Sequence, residues 1–245
     1  MSIYFRDLNN GPWFGIREDD SFTPGSLLKV PLMIAYLKEL RSNPQLFEKT
    51  LIFEDSMDAN TLEYFTSSQS IQRGKAYPVS ELVARTIVYS DNNAATLLLR
   101  ELDREKLLQT YEELGIIIPG YRTIEESMPL KRYATLFRML YNASYLDRDF
   151  SEKALELLSK TEFKRGIVAS VPTEIPVAHK FGERSLAGQN GPHQLHDCGI
   201  VYYPGHPYLL CIMTQGEDLD TLAGVIEDAA KLVYGEVDRQ AVALR

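Results

Sequence analysis

The apolar residues of this 245-residue chain change their spacing twice, and that change limits the folds open to it. Near the N-terminus, "SIYFRDLNNGPWFGIREDDSF" reads as a hairpin. Tyr4 and Trp13 to Ile16 supply strand formers, and Asn9-Asn10-Gly11-Pro12 supplies the turn. From about residue 45 to 164 the spacing becomes helical, in "VSELVARTIVY", "DNNAATLLLREL", "REKLLQTYEELG", "LKRYATLFRMLYNASYL" and "SEKALELLSKT". Ser80 predicts an N-cap for the first of these, and Gly115 predicts a C-terminal stop for the third. After Pro176 period two returns in "PVAHKFG", "HDCGIVYYP" and "YLLCIMTQG", before "DLDTLAGVIEDAAKLVYGEV" closes the chain as an amphipathic helix.

Two ends that both read as strands can share one antiparallel sheet, which leaves the helical middle as an insertion. The expected fold is therefore α/β in content, of the α+β kind, in one domain. Its α/β lobe takes about residues 1–45 and 165–245 and its helical lobe about 46–164, with the site expected between the two. The net charge of -8, without a basic patch, argues against a nucleic-acid partner. No run of eighteen apolar residues is present to span a membrane. No secretory signal is read at the start, and an export or anchoring segment is expected to lie outside the chain. Cys198 and Cys211 form no CxxC, and no Cys/His set has zinc spacing, so neither metal nor cofactor is expected. The two cysteines fall on the arms of one predicted hairpin, with their redox state open. His193 and His196, set beside Gly191 and Pro192, read as a solvated loop.

Three short stretches carry possible chemistry, and each has a plain structural alternative. In "TPGSLLKVPLMIAYLKEL", Ser26 and Lys29 stand three apart on one face of a predicted helix. A helix start offers free N–H groups, and a lysine in apolar surroundings gives up its proton more easily, so the pair suits nucleophile and base. The alternative is an N-cap serine with a snorkelling lysine. In "VYSDNNAATLLL", Ser90-Asp91-Asn92 suits either helix capping or a proton relay with an orienting amide. In "VAHKFGE", Lys180 is either an edge-strand guard or an anchor for a carboxylate, and Gly182 marks a close approach.

Taken together and in this order, Ser-x-x-Lys, Ser-Asp-Asn and Lys-x-Gly resemble the penicillin-recognising serine enzymes, closest to class A β-lactamase-like domains. The resemblance covers nearly the whole chain and includes "GKAYPVSELVARTIVYSDNNAA". It implies a β-lactamase/D,D-peptidase-like fold and an acyl-enzyme on Ser26. It also implies Lys29 as base, Ser90 as relay and Lys180 as the group that meets a substrate carboxylate. Asn92, Gly182 and Glu183 would bind substrate, the N–H groups of Ser26 and Glu183 forming an oxyanion hole. The implied partner is a small molecule, a β-lactam or a peptidoglycan stem peptide, outside the cytoplasm. Two departures stand out. Phe181 replaces the family's hydroxyl residue, and "GIIIPGYRTIEESMPLKRYA" lacks the Glu-x-x-Leu-Asn pattern that activates the deacylating water, although Glu125 and Glu126 lie in it. Slow deacylation is expected, with a D,D-peptidase or a penicillin sensor as the alternatives. Arg165 and Arg184 match no family carboxylate-binding position clearly.

Overall fold

The structure, a computed structural model, describes residues 1–9, 11–116, 127–185 and 191–243. Asn10 of the expected turn, and Glu125 and Glu126, lie outside the described residues. The chain opens with strands β1 (Ser2–Asp7), β2 (Trp13–Ile16) and β3 (Ser21–Phe22). A 3-10 turn, Gly25–Leu28, runs directly into helix α1 (Lys29–Ser42). Short strands β4 (Thr50–Ile52) and β5 (Ala76–Pro78) precede helices α2 (Val79–Val88), α3 (Asn92–Glu101) and α4 (Arg104–Glu113). Strand β6 (Met128–Pro129) leads into α5 (Leu130–Tyr141) and α6 (Arg148–Ser159). The C-terminal part carries β7 (Val177–Ser185), β8 (His193–Val201), β9 (Tyr208–Gly216) and helix α7 (Leu219–Ala243).

Two compact units result, Met1–Leu27 with Glu126–Arg138 and Lys164–Arg245, and Leu28–Glu125 with Met139–Phe163. Helix α1 clusters with the helical unit, whereas the sequence pattern grouped residues up to about 45 with the sheet. In the first unit the strands form an antiparallel sheet in the order β2-β1-β9-β8-β7, so the two chain ends do share one sheet. Helix α7 packs on β8 and β9, placing Leu222 and Ile226 among the buried residues. Cys198 and Cys211 are register partners on β8 and β9 and form a disulfide.

The second unit is built round α1, which contacts α2, α3, α4 and α6. Residues Lys29 to Leu37 are buried without interruption, which is why the helix lacks a polar face. Pro31 is tolerated because it is the third helical residue, where a backbone N–H has no partner within the helix in any case. The expected cap at Ser80 is corrected. Pro78 is the N-cap of α2 and Ser80 lies exposed in its first turn, because the chain enters from β5 in extended form and Pro78 is suited to that conformation. Gly115 does end α4, at φ +72°, with the Ile116 N–H bonded back to Tyr111 O. No helix among the described residues is long and apolar enough to cross a membrane.

Candidate active site

In the helical unit Lys29 is the first residue of α1 and only 5% exposed. Its Nζ donates to Ser90 O at 2.5 Å, Ser90 Oγ at 3.0 Å and Asn92 Oδ1 at 2.5 Å. This is not a snorkelling lysine, since Nζ is turned inward onto the loop between α2 and α3. Asp91 makes that loop possible. It is the N-cap of α3, and its carboxylate accepts from the N–H groups of Asn93, Ala94 and Ile71. Ser90 is thereby held at φ +55°, a left-handed conformation that costs a non-glycine residue about 1–2 kcal/mol. That conformation carries its carbonyl and hydroxyl together onto Lys29.

Asn92 is held from both sides. Its Nδ2 donates to Glu63 Oε1 at 2.5 Å and its N–H to Asn60 Oδ1 at 2.7 Å. Neither Glu63 nor Asn60 was among the residues singled out by motif or spacing. They lie in the segment between β4 and β5, where no periodicity or spacing marks one polar residue above another.

In the sheet unit Ser26 lies in the 3-10 turn before α1 and is 7% exposed. It is not the N-cap. That place belongs to Leu28, which makes no side-chain cap bond. The turn lies tightly against β7. A β-carbon on Gly182 would stand 2.7 Å from Pro24 O and 3.0 Å from Leu27 N, and one on Gly25 would stand 2.6 Å from Glu183 O. Gly25 also takes φ +52°. Two glycines thus let the backbone around Ser26 meet the backbone of Gly182 and Glu183 at van der Waals limits. The Tyr133 hydroxyl, on α5, donates to Leu27 O at 2.9 Å. Burial, with the Asp197 carboxylate adding to it, pushes that phenol far above its usual range, so it stays a donor.

Lys180 is fully buried on β7, with Nζ 3.1 Å from Phe181 O and 4.2 Å from the Phe181 ring centroid. The residue that departs from the family pattern therefore shields the lysine's charge with its own ring. Beside Lys180, His179 Nδ1 meets Asp197 Oδ1 at 2.9 Å, and Asp197 Oδ2 accepts the Ile167 N–H. Arg165 is engaged with Glu227 and Asp220 of α7, and Arg184 is exposed near the end of β7.

His196 corrects the expectation of a solvated loop. It lies within β8, fully buried, its ring edge-on to Phe22 at 5.3 Å and its Nε2 3.1 Å from Thr23 O. Pairing of His193 with Gly216 starts the strand immediately after Pro192, where the flanking glycine and proline had suggested a loop. Burial pulls the His196 pKa from 6.5 to about 4, an effect that hydrogen bonding to the Thr23 and Leu195 backbone only partly offsets. Between those two values the unfolded chain binds the extra proton and the folded chain does not. The contribution is present above about pH 6.5 and is lost as pH falls to about 4. It amounts to about 3 kcal/mol at the rate of 1.36 kcal/mol per unit. Urea unfolding of wild type and His196→Gln at both pH values checks this. Wild type should lose about 3 kcal/mol more than the variant on acidification, and parallel losses would refute it.

Comparison with known proteins follows the same lines. The model of the family described as "Beta-lactamase enzyme family" matches residues 1–237. A β-lactamase of Streptomyces albus G is 26% identical over 253 residues, covering 95% of this chain and 78% of the relative. Among solved structures, a class A β-lactamase from Mycobacterium abscessus superposes with a TM-score of 0.80 at 24% identity, covering 97% of this chain and 93% of that one. A mutant of PBP-A in an acyl-enzyme complex with penicillin G superposes with a TM-score of 0.78 at 20% identity, covering 97% and 90%. A family match over nearly the whole length is decisive: the chain belongs to the β-lactamase enzyme family.

Proposed function

We propose that this chain is a serine hydrolase that acts as one domain and forms an acyl-enzyme on Ser26 with β-lactams or related peptidoglycan-type substrates. The observation that carries this reading is the grip of Lys29 on Ser90 and Asn92, at 2.5–3.0 Å. It joins two of the three motifs in one hydrogen-bonded group. In the proposed reaction Lys29, as the neutral amine, takes the Ser26 hydroxyl proton while Oγ attacks the lactam carbonyl. The backbone N–H groups of Ser26 and Glu183 receive the oxyanion. As the intermediate collapses the C–N bond breaks, and the proton travels from Lys29 through Ser90 Oγ to the leaving nitrogen. Asn92, its amide oriented by Glu63, fixes the substrate's own amide, and Lys180 attracts its carboxylate. Export fits both the substrates and the Cys198–Cys211 disulfide, which suits an oxidising compartment.

Slow deacylation is part of the proposal, because the sequence lacks the Glu-x-x-Leu-Asn pattern. A general base contributes roughly 10²–10⁴ in rate. Penicillin G should therefore give a stoichiometric burst, then turnover slower by at least about a hundredfold, with an adduct on Ser26 that persists for minutes in intact mass spectra. The missing Glu-x-x-Leu-Asn pattern favours a second reading, a D,D-peptidase. Release of the terminal residue from a stem peptide, faster than the penicillin adduct decays, would select it. An adduct that never decays, with no peptidase activity, would select a sensor. No adduct at all would sink the acyl-enzyme.

A further inference from the structure

Ser26 is preceded by Thr23, Pro24 and Gly25, which belong to no strand. Buried backbone groups there need partners that a sheet ladder does not supply. Both peptide groups of Thr23 find them in side chains of β8. The Thr23 N–H donates to Gln194 Oε1 at 2.9 Å, and Thr23 O lies 3.1 Å from His196 Nε2. Gln194 and His196 are two apart on the strand and so project from the same face. Each is itself braced. Gln194 Nε2 donates to Gln215 Oε1 at 2.9 Å, from the residue opposite it on β9, and His196 is walled by Phe22. Gly182, the register partner of His196 on β7, is the glycine that accepts the close approach of Pro24 O and Leu27 N.

We propose that Gln194 and His196 are positioning residues for Ser26, a role that rests on Ser26 being the nucleophile. They fix the Thr23 peptide three residues upstream, and the rigid Pro24 and the left-handed Gly25 transmit that constraint to the Ser26 N–H and Oγ. The pair works as a fork: Gln194 accepts from the Phe22–Thr23 peptide, His196 donates to the Thr23–Pro24 peptide, and rotation of either peptide breaks its own bond. Small displacements of a reacting atom are costly, an ångström being worth on the order of a hundredfold in rate.

The test is acylation of the full chain by a fluorescent penicillin, with the rate constant and the labelled fraction read separately. Gln194→Met keeps the length and removes the acceptor. It should slow acylation by about tenfold to a hundredfold while the labelled fraction still reaches that of wild type. Gln194→Glu keeps an acceptor and should regain most of the rate. His196→Gln keeps a donor at the reach of Nε2 and should stay near wild type, whereas His196→Phe should match the Gln194→Met loss. Wild-type rates in both Gln194→Met and His196→Phe would overturn the proposal. So would a smaller labelled fraction at unchanged rate, which is the mark of residues that only support folding. If wild type itself takes no label, the nucleophile assignment falls first; if it labels and the variants equal it, only the positioning role falls.

Discussion

Ser26→Ala should take up no covalent label from a fluorescent penicillin while keeping its fold. The expectation is sharp because the serine has little structural work to do. It is not the cap of α1, and the turn around it is held by Gly25, Gly182, Tyr133 and the side chains on Thr23. Loss of one hydroxyl's hydrogen bond costs about 1 kcal/mol, which lowers the melting temperature of a chain this size by about 2–4 °C. A near-native melting curve with no adduct is thus the expected pair of results. Labelling at the wild-type rate would remove Ser26 from the mechanism and leave another residue to be found by peptide mapping of the adduct.

Replacement of Lys29 has the second largest effect, and here stability and chemistry move together. Lys29→Ala removes the donor to Ser90 O, Ser90 Oγ and Asn92 Oδ1. A buried acceptor so stranded costs about 1–3 kcal/mol. Acylation should slow by at least about a hundredfold, the scale of a lost general base. Lys29→Arg separates the two effects. A guanidinium retains donors but cannot give up a proton near neutral pH, so acylation should be as slow as in the alanine variant while less stability is lost. Wild-type acylation in the arginine variant would mean that the lysine only braces the Ser90 loop.

Much of this was legible in the sequence, and what was missed has a common physical cause. The strand-forming segments after Pro176 located β7, β8 and β9, which are buried along most of their length, and the turn residues near Gly11 located the hairpin of β1 and β2. Ser26, Lys29, Ser90 and Lys180 were legible as motif members. The structure joins Lys29 to Ser90 and Asn92 in one unit and sets Ser26 against Gly182 and Glu183 in the other. Glu63, Gln194 and His196 were not legible. Each acts on a partner far along the chain, Gln194 on a residue 171 positions away, and nothing in the surrounding residues announces it. His196 was misplaced for a related reason. Proline and glycine are local signals, and the strand that begins beside them is fixed by pairing with β9. Phe181 was visible as a departure, but its contact with Lys180 depends on how the lysine bends back over the strand.

The arrangement of the sheet also sets the moment at which the turn bearing Ser26 is fastened. β1 pairs with β9, residue Ser2 against Met213, and the turn bearing Ser26 is fastened by residues of β7 and β8. During synthesis the helical unit meets its own neighbours early, since most of its segments follow one another in sequence. The N-terminal strands must wait for the ribosome to deliver almost the entire polypeptide, and closing so long a loop is slow. The turn bearing Ser26 is therefore among the last parts to be organised. A nascent or C-terminally clipped chain carries Ser26, Lys29, Ser90 and Asn92 and still lacks the strands that fasten the Ser26 turn, so the proposed chemistry would arrive only with the final hairpin.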